Sequence, residues 1–455
     1  MNDIHEQIQI IISEFLRIEG FAVSDIASQE PPYIPLTIQN SHGNVHFITP
    51  KIDRAISLIS DKTMERNSAI GQKYTRAEWK YIVRQHVGEV LSRISTTKND
   101  GKNSKMLLES IQDAIENHDN LLNPREYTFG CSLFDCKHID PFNFGPVLFE
   151  HRNDWLTRKY KEGEVTIITK RRIDKLWAGK TLQKRKKSAE SFLEEIIADA
   201  IGDCQFVCTV KTDRLASEAG REKALTAARL AITGISLLSP QYPSKTLKGV
   251  YLPYDRQPQR QVALSFSSNA PPSTQQKWSL LPCGPKIEPN QWNQALTEYQ
   301  DIIQVIGEVL AYTVDSKMTC MRPQLMNTFL HSLLWFHEGC YENTNVIAIV
   351  KFSSALDALS GGGKAKRIIE VFGYRLEVDP EKKITSDGKT LRQCIHNIYE
   401  KGRSRTIHGT NDRLSEDWAR TRHLAENLAW SCLLACLEWA ARNPTANDPA
   451  LMRKP

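Results

Sequence analysis

Arg403 and His408 stand five positions apart near the C-terminal end of this 455-residue chain. They lie within Tyr399-Glu400-Lys401-Gly402-Arg403-Ser404-Arg405-Thr406-Ile407-His408-Gly409. A guanidinium is permanently cationic and forks onto a phosphate, whereas an imidazole both takes and gives a proton near neutral pH. Together they suffice to cleave RNA without a metal, provided that a groove or a second copy sets the phosphate between them. On an ideal helix, positions five apart diverge by about 140°. Chemistry at one phosphate therefore requires the helix to unwind at its end or a second subunit to contribute.

The pair needs an element to hold it. Leu391, Ile395 and Ile398 have helical spacing and lead straight into the motif, so a helix is expected from Leu391 to His408. Gly409 supplies its stop. A histidine in a last helical turn sits at the negative end of the macrodipole, a setting suited to an acid/base.

These residues carry a resemblance. Tyr399 to Gly409, with Ser-Arg-Thr-Ile-His-Gly after Arg403, resembles the signature of the Apea-like branch of the HEPN superfamily, and Ser353-Ser354-Ala355-Leu356-Asp357-Ala358-Leu359 resembles that branch's earlier, acid-bearing helix. The likeness covers Pro323 to Arg442. It implies an all-α bundle, dimerisation through the motif-bearing helices and metal-independent endoribonuclease activity of the kind used in bacterial antiviral (abortive-infection) defence. On that basis Arg403 and His408 are the expected catalytic pair, with Ser404 and Asp357 in support and Arg405 on the RNA. Asp357 reads either as a helix-surface carboxylate or, by the resemblance, as the partner of a motif cation. HEPN ribonucleases commonly carry Asn, Asp or His where this chain has Ser404; serine is usual in the Apea-like branch.

Composition bounds the rest. Hydrophobic residues make up 40% and charged residues 25%, with a net charge of +6 and a pI near 8.7. This is the make-up of an ordinary globular protein of two or three domains. The charge permits an acidic partner such as RNA without demanding one. No apolar run approaches the length of a membrane span, and the start Met-Asn-Asp-Ile-His-Glu lacks the regions of a signal peptide. Ten scattered cysteines without a close CxxC pair read as reduced cytosolic thiols, so the expected setting is cytoplasmic. Cys131, Cys136 and His138 are the one group that would seed a zinc site, but no second cluster has matching spacing; neither metal nor cofactor is expected. Cys432 and Cys436 fall on the apolar stripe of the last helix and read as core.

The expected fold class is α+β: an N-terminal mixed α/β region followed by an all-α HEPN-like bundle. Ile4, Ile8, Ile11, Phe15 and Ile18 mark a first helix ended by Gly20, and Tyr33 to Ile48 reads as a hairpin. Helices follow at Arg76–Ile94 and Lys105–Leu122. Tyr127 to Phe149, Val165 to Thr169, Gln205 to Lys211 and Val262 to Ser267 read as strands, with helices at Ala189–Ile201 and Leu215–Leu238. Asn269 to Thr274 and Pro282 to Pro285 have linker chemistry. The expected division is therefore a recognition or sensor region over 1–275, a connector over 276–320 and the HEPN-like domain over 321–445. Past Pro289 helices are expected at Trp292–Asp315, Pro323–Tyr341, Asn345–Leu359, Leu391–His408 and Leu414–Arg442. Ser360-Gly-Gly-Gly-Lys364 lacks the preceding strand and following hydroxyl of a phosphate loop and reads as an inter-helix loop. His331 and His337, among Phe329, Trp335 and Phe336, read as packing residues.

Lys170 to Lys187 holds nine Lys/Arg against one acid, Asp174, with Trp177 in its middle. Lys184, Arg185, Lys186 and Lys187 are the candidate phosphate track and Trp177 a stacking residue; the plain alternative is a solvated face. Two functional readings stand at this point. In one, His408 moves protons and Arg403 neutralises charge while a 2′-hydroxyl attacks its own 3′-phosphate, in a homodimer or larger homo-oligomer. In the other, a non-catalytic HEPN module binds RNA or a partner protein and the N-terminal half carries recognition; under the first, the N-terminal half is also read as a sensor for a viral protein, with the nuclease held silent until it binds.

Overall fold

The computed structural model describes residues 2–19, 21, 25, 36–40, 43–94, 100–136, 138–314 and 320–454. The protein is α+β with a dominant helical part. It divides into two units, one made of residues 1–125 with 212–222, the other of 126–211 with 223–455.

In the first unit, helices Asn2–Ile18, Pro50–Arg66, Ser68–Lys73, Arg76–Leu91 and Asp100–Asn117 accompany a hairpin of β1 (Leu36–Gln39) and β2 (Val45–Ile48). Gly20, Tyr33 to Pro35, Ser41 and His42 lie outside the described residues. Local chemistry fixes the helix starts. Thr49 accepts from the Ile52 amide with Pro50 at the first helical position, and Thr75 forms a capping box with Glu78, each contributing about 1 kcal/mol. Ile8, Ile11, Ile52, Ile56, Ile59 and Val83 close the core around Trp79. The indole N–H of Trp79 donates to Thr63 Oγ1 at 2.7 Å.

The second unit holds a four-stranded sheet in the order β3 (Arg125–Cys131), β6 (Phe206–Thr212), β5 (Val147–His151), β4 (Phe142–Phe144). The strand expected at Val165–Thr169 is instead the start of a helix, Ile167–Trp177. Thr166 accepts from the Thr169 amide, and this cap overrides the β-branched run. Asn269 to Thr274 is not a linker. β7 (Arg260–Ser267) and β8 (Ala270–Trp278) form an antiparallel ribbon that turns there. Nor is Pro282 to Pro285 one: the Asp135 amide donates to the Pro285 carbonyl at 3.0 Å, and a side chain at Gly284 would strike the Leu133 carbonyl.

The division expected near 275 is therefore displaced. One continuous core runs from Phe129 to Met452 and joins the sheet to the C-terminal helices. Gly145 and Gly307 show how close the join is. Gly145 sits at φ +52° in the β4–β5 turn, and a Cβ on Gly307, in helix Gln300–Val314, would stand 2.8 Å from the Gly145 nitrogen. Only glycine allows two backbones this near.

Helices Pro323–Tyr341, Asn345–Leu359, Lys364–Arg375 and Ala419–Arg442 complete the unit. Asn345–Leu359 is central, packing on each of the other three. The helix expected over Trp292–Asp315 breaks at Tyr299 into Pro289–Glu298 and Gln300–Val314; Asp315 lies outside the described residues. The last helix begins at Ala419 rather than Leu414, which is exposed, and Cys432 and Cys436 are buried in its core stripe. The cysteines form no disulfide. Among the described residues no group of three or more His, Cys, Asp or Glu has metal-ligand geometry, so Cys131, Cys136 and His138 do not gather. No single described helix is long and apolar enough to cross a membrane.

His337 is a packing residue, as its aromatic setting suggests. It is fully buried, shares a 2.9 Å hydrogen bond between Nδ1 and Thr233 Oγ1, and leaves Nε2 unpartnered. Burial, with the Arg256 charge nearby, lowers its pKa to about 3. The sign follows from linkage. A base whose folded pKa lies below its unfolded value stabilises the fold above the unfolded value, and that stability is lost as pH falls from about 6.5 toward 3. Lowering the pH from 7.5 to 5 should cost about 2 kcal/mol at this site. Denaturant melts of wild type and His337→Gln at the two pH values check it; an equal pH response in both would remove His337 as the source.

Candidate functional site

The expected helix Leu391–His408 is present in three parts, and the middle one is unusual. An α-helical start, Leu391–His396, is capped by Thr390 and Gln393. Asn397–Ser404 then winds as a π-helix, with the Arg405 amide donating to the Glu400 carbonyl, and Arg405–Ile407 returns to α geometry. The wide turn brings backbone against the neighbouring helix. Gly402 is buried, and a Cβ there would lie 2.6 Å from Ile349 Cγ2. Such π turns inside helices are frequent at functional sites.

The helix Asn345–Leu359 supplies the other half of the site. Arg403 Nη2 lies 3.2 Å from Asp357 Oδ2, with side-chain exposures of 23% and 15%. Its Nε donates to Ser354 Oγ at 3.3 Å and its Nη1 to the Tyr399 hydroxyl at 2.5 Å. The guanidinium also lies over the Tyr399 ring, 4.9 Å from the centroid. Burial, with the Asp357 carboxylate beside it, holds the Tyr399 phenol above its ordinary pKa, so the ring stays neutral and its oxygen accepts from Arg403. Asp357 in turn accepts the Lys364 amide on Oδ1 at 3.2 Å. The loop Ser360–Gly363 thus ends on the same carboxylate, with Gly361 and Gly362 at positive φ. Its own amides are spent locally, Gly361 on Ala358 and Gly362 on Asp357, which suits an inter-helix loop.

His408 stands at the exposed end. Its amide donates to the Ser404 carbonyl at 3.0 Å. The Gly409 amide then reaches Thr406 and the Thr410 amide Arg405, at 3.3 and 2.8 Å, with Gly409 at φ +69°. This is a Schellman stop, placed as the glycine predicts. No hydrogen bond or ion pair holds the imidazole among the described residues. Ser404 is half-buried and Arg405 exposed on this terminal turn.

The structure thus joins Arg403 to Asp357, whereas His408 makes no hydrogen bond or ion pair with either. Tyr399 and Ser354 complete the Arg403 cradle and were not singled out from sequence. Tyr399, one turn before Arg403, was the available signal.

The basic run meets a mixed fate. Arg185 is not free for a backbone track: it pairs with Glu190 and Glu194 and donates to Thr169 Oγ1 at 3.2 Å. Arg172 holds Glu194 at 2.8 Å, and Lys170 holds Asp174 at 2.9 Å. Trp177 is half-buried, with the Arg152 guanidinium 4.9 Å from its ring centroid, so a protein cation already covers one face. Lys184, Lys186 and Lys187 are exposed and carry no ion pair among the described residues. If these three follow RNA, replacing them together by alanine should flatten the log–log salt dependence of binding by about two units, at roughly 0.7 per lost single-strand contact. Adding Arg185→Ala should change stability rather than slope. A wild-type slope in the triple variant would leave the run as a solvated face.

No family model, curated protein or solved structure matches the chain.

Proposed function

We propose that the protein is a metal-independent endoribonuclease of HEPN type, acting in a homodimer. The observation that carries this reading is the asymmetry of the motif. Arg403 is fixed by Asp357, Tyr399 and Ser354 on a π-helical turn, while His408 stands exposed at the helix stop. A cation set rigidly by neighbours suits a developing phosphorane charge, since preorganised groups need no rearrangement in the transition state. An accessible imidazole suits proton transfer.

In this mechanism an imidazole removes the 2′-hydroxyl proton. The freed oxygen attacks the adjacent phosphorus, the bond to the 5′-oxygen breaks, and a protonated imidazole returns a proton to that leaving group. The products are a 2′,3′-cyclic phosphate and a 5′-hydroxyl. Two protons move, and two copies of His408 around one cleft would divide the roles of base and acid. The exposed apolar side chains Ile407 and Leu414, both 55% accessible, favour a neighbouring surface beside the motif. By the resemblance, the setting is bacterial antiphage defence, with the N-terminal half as the sensor that would release cleavage.

Incubating the purified protein with total RNA, with and without EDTA, tests the reading. Cleavage that survives chelation and leaves cyclic-phosphate ends supports it. RNA binding without cleavage would favour the non-catalytic module instead, a reading that the exposed lysines alone would accommodate.

A further inference from the structure

The β7–β8 ribbon has no role in that reading. Every residue from Arg260 to Trp278 is exposed, although a two-stranded ribbon alone is marginally stable in water. The pairs Arg260↔Trp278, Val262↔Gln276 and Leu264↔Thr274, with the period-two alternation of a strand, set Val262, Leu264, Phe266 and Trp278 on one face, together with Arg260, Thr274 and Gln276. Gln261, Ala263, Gln275 and Lys277 take the other. The first four are 56%, 63%, 77% and 49% accessible. Four large apolar side chains exposed on one face of an otherwise polar ribbon mark an interaction site.

We propose that this face is the contact surface for a second copy of the same chain, ribbon packed on ribbon. Area supports that occupant. The four side chains offer roughly 450 Å² of apolar surface per copy, so two copies remove about 900 Å² before backbone and polar neighbours are counted, close to the ~1,000 Å² that a specific interface needs. Charge supports it too. The ribbon carries no acid, and its only charges, Arg260 and Lys277, lie at its base. Crossing two ribbons about a two-fold axis, base to tip, sets each base over the uncharged tip of its partner, and no like charges meet. Face packing also explains the tip. Ser265↔Ser273 gives way to Ser267↔Ala270 across a bulge that contains Pro271 and Pro272. Proline cannot donate a backbone hydrogen bond, so the tip of the β8 edge is blunted against further strands. Pairing through the β7 edge alone would leave all four apolar side chains in water.

The contact rests on the homodimer proposed above, as its main anchor outside the motif helices, and does not depend on catalysis. Sedimentation equilibrium of the full chain at micromolar concentration should give a dimer, twice 51.8 kDa. Leu264→Thr/Phe266→Thr keeps strand propensity and should weaken dimerisation at least ~100-fold, as the loss of two central anchors does. Gln261→Thr/Gln275→Thr, on the opposite face, should leave it unchanged, and so should His408→Ala. Backbone amides of Arg260–Trp278 should gain hydrogen-exchange protection as protein concentration rises. A monomeric wild type, a double variant that dimerises like wild type, or exchange in the ribbon that ignores concentration would each overturn the proposal. So would a monomer whose ribbon is protected only by added single-stranded RNA.

Discussion

His408→Ala is expected to lower RNA cleavage by about 10³-fold, the usual cost of removing a proton-transfer group, with an unchanged melting temperature. The imidazole is exposed and makes no hydrogen bond among the described residues, so truncation removes chemistry and little packing. Arg403→Ala should cost a similar factor, because one preorganised donor lost from a charge-stabilising site is worth about 10²–10³. Its stability should behave differently. Arg403 is tied to Asp357, Ser354 and Tyr399, and its removal leaves a carboxylate that is 15% exposed without its cation, at about 1–3 kcal/mol. Asp357→Asn in the Arg403→Ala background should recover part of that stability and none of the cleavage. Arg403→Lys keeps the charge but loses the fork and should remain impaired. Single-turnover cleavage and denaturant melts on the same preparations separate the effects. Wild-type cleavage by His408→Ala would remove it from the proton-transfer role; a melting loss equal to that of Arg403→Ala would show it to be structural.

The contrast between these residues also marks what could be read from the chain alone. Gly409 could be read, because a helix that ends on glycine satisfies its last carbonyls in one way. Helices Pro323–Tyr341 and Asn345–Leu359 could be read to the residue from apolar periodicity and flanking breakers. The π turn could not. It depends on Gly402 meeting Ile349 across the helix pair, a tertiary contact with no periodic signature. Arg185 misled for a related reason. As part of a basic run it reads as solvated, yet Glu190 and Glu194, one helix on, neutralise it. The ribbon misled through its prolines, since Asn269 to Thr274 has the composition of a linker, whereas an exposed ribbon accepts proline at a bulge.

The largest stability effect is expected where sheet and helices meet. Gly145→Ala should destabilise the second unit by about 2–5 kcal/mol, the sum of a left-handed backbone penalty of roughly 1–2 and an overpacking cost of about 1–3. Gly145 has φ +52°, and its added Cβ would collide with the Gly307 carbonyl. The clashing atoms are main chain, so no rotamer change relieves them. Gly307→Ala meets the same contact from the helix side, 2.8 Å from the Gly145 nitrogen, without the φ penalty, and should cost about 1–3 kcal/mol. The double variant should cost less than the sum, because both side chains would open one gap. Gly163→Ala is the control. It has φ +81° but nothing within 4 Å of its Cβ, so it should show the backbone penalty alone, about 1–2 kcal/mol. The site distant from the clash is equally informative. Phe144, beside Gly145, and Ile398 and Tyr399, just before Arg403, belong to one core that runs from Phe129 to Met452. Gly145→Ala should therefore lower the temperature at which RNA cleavage is lost in step with the melt of the sheet. A helical part that keeps its own melting temperature and activity in this variant would restore a boundary near residue 275 and divide the shared core.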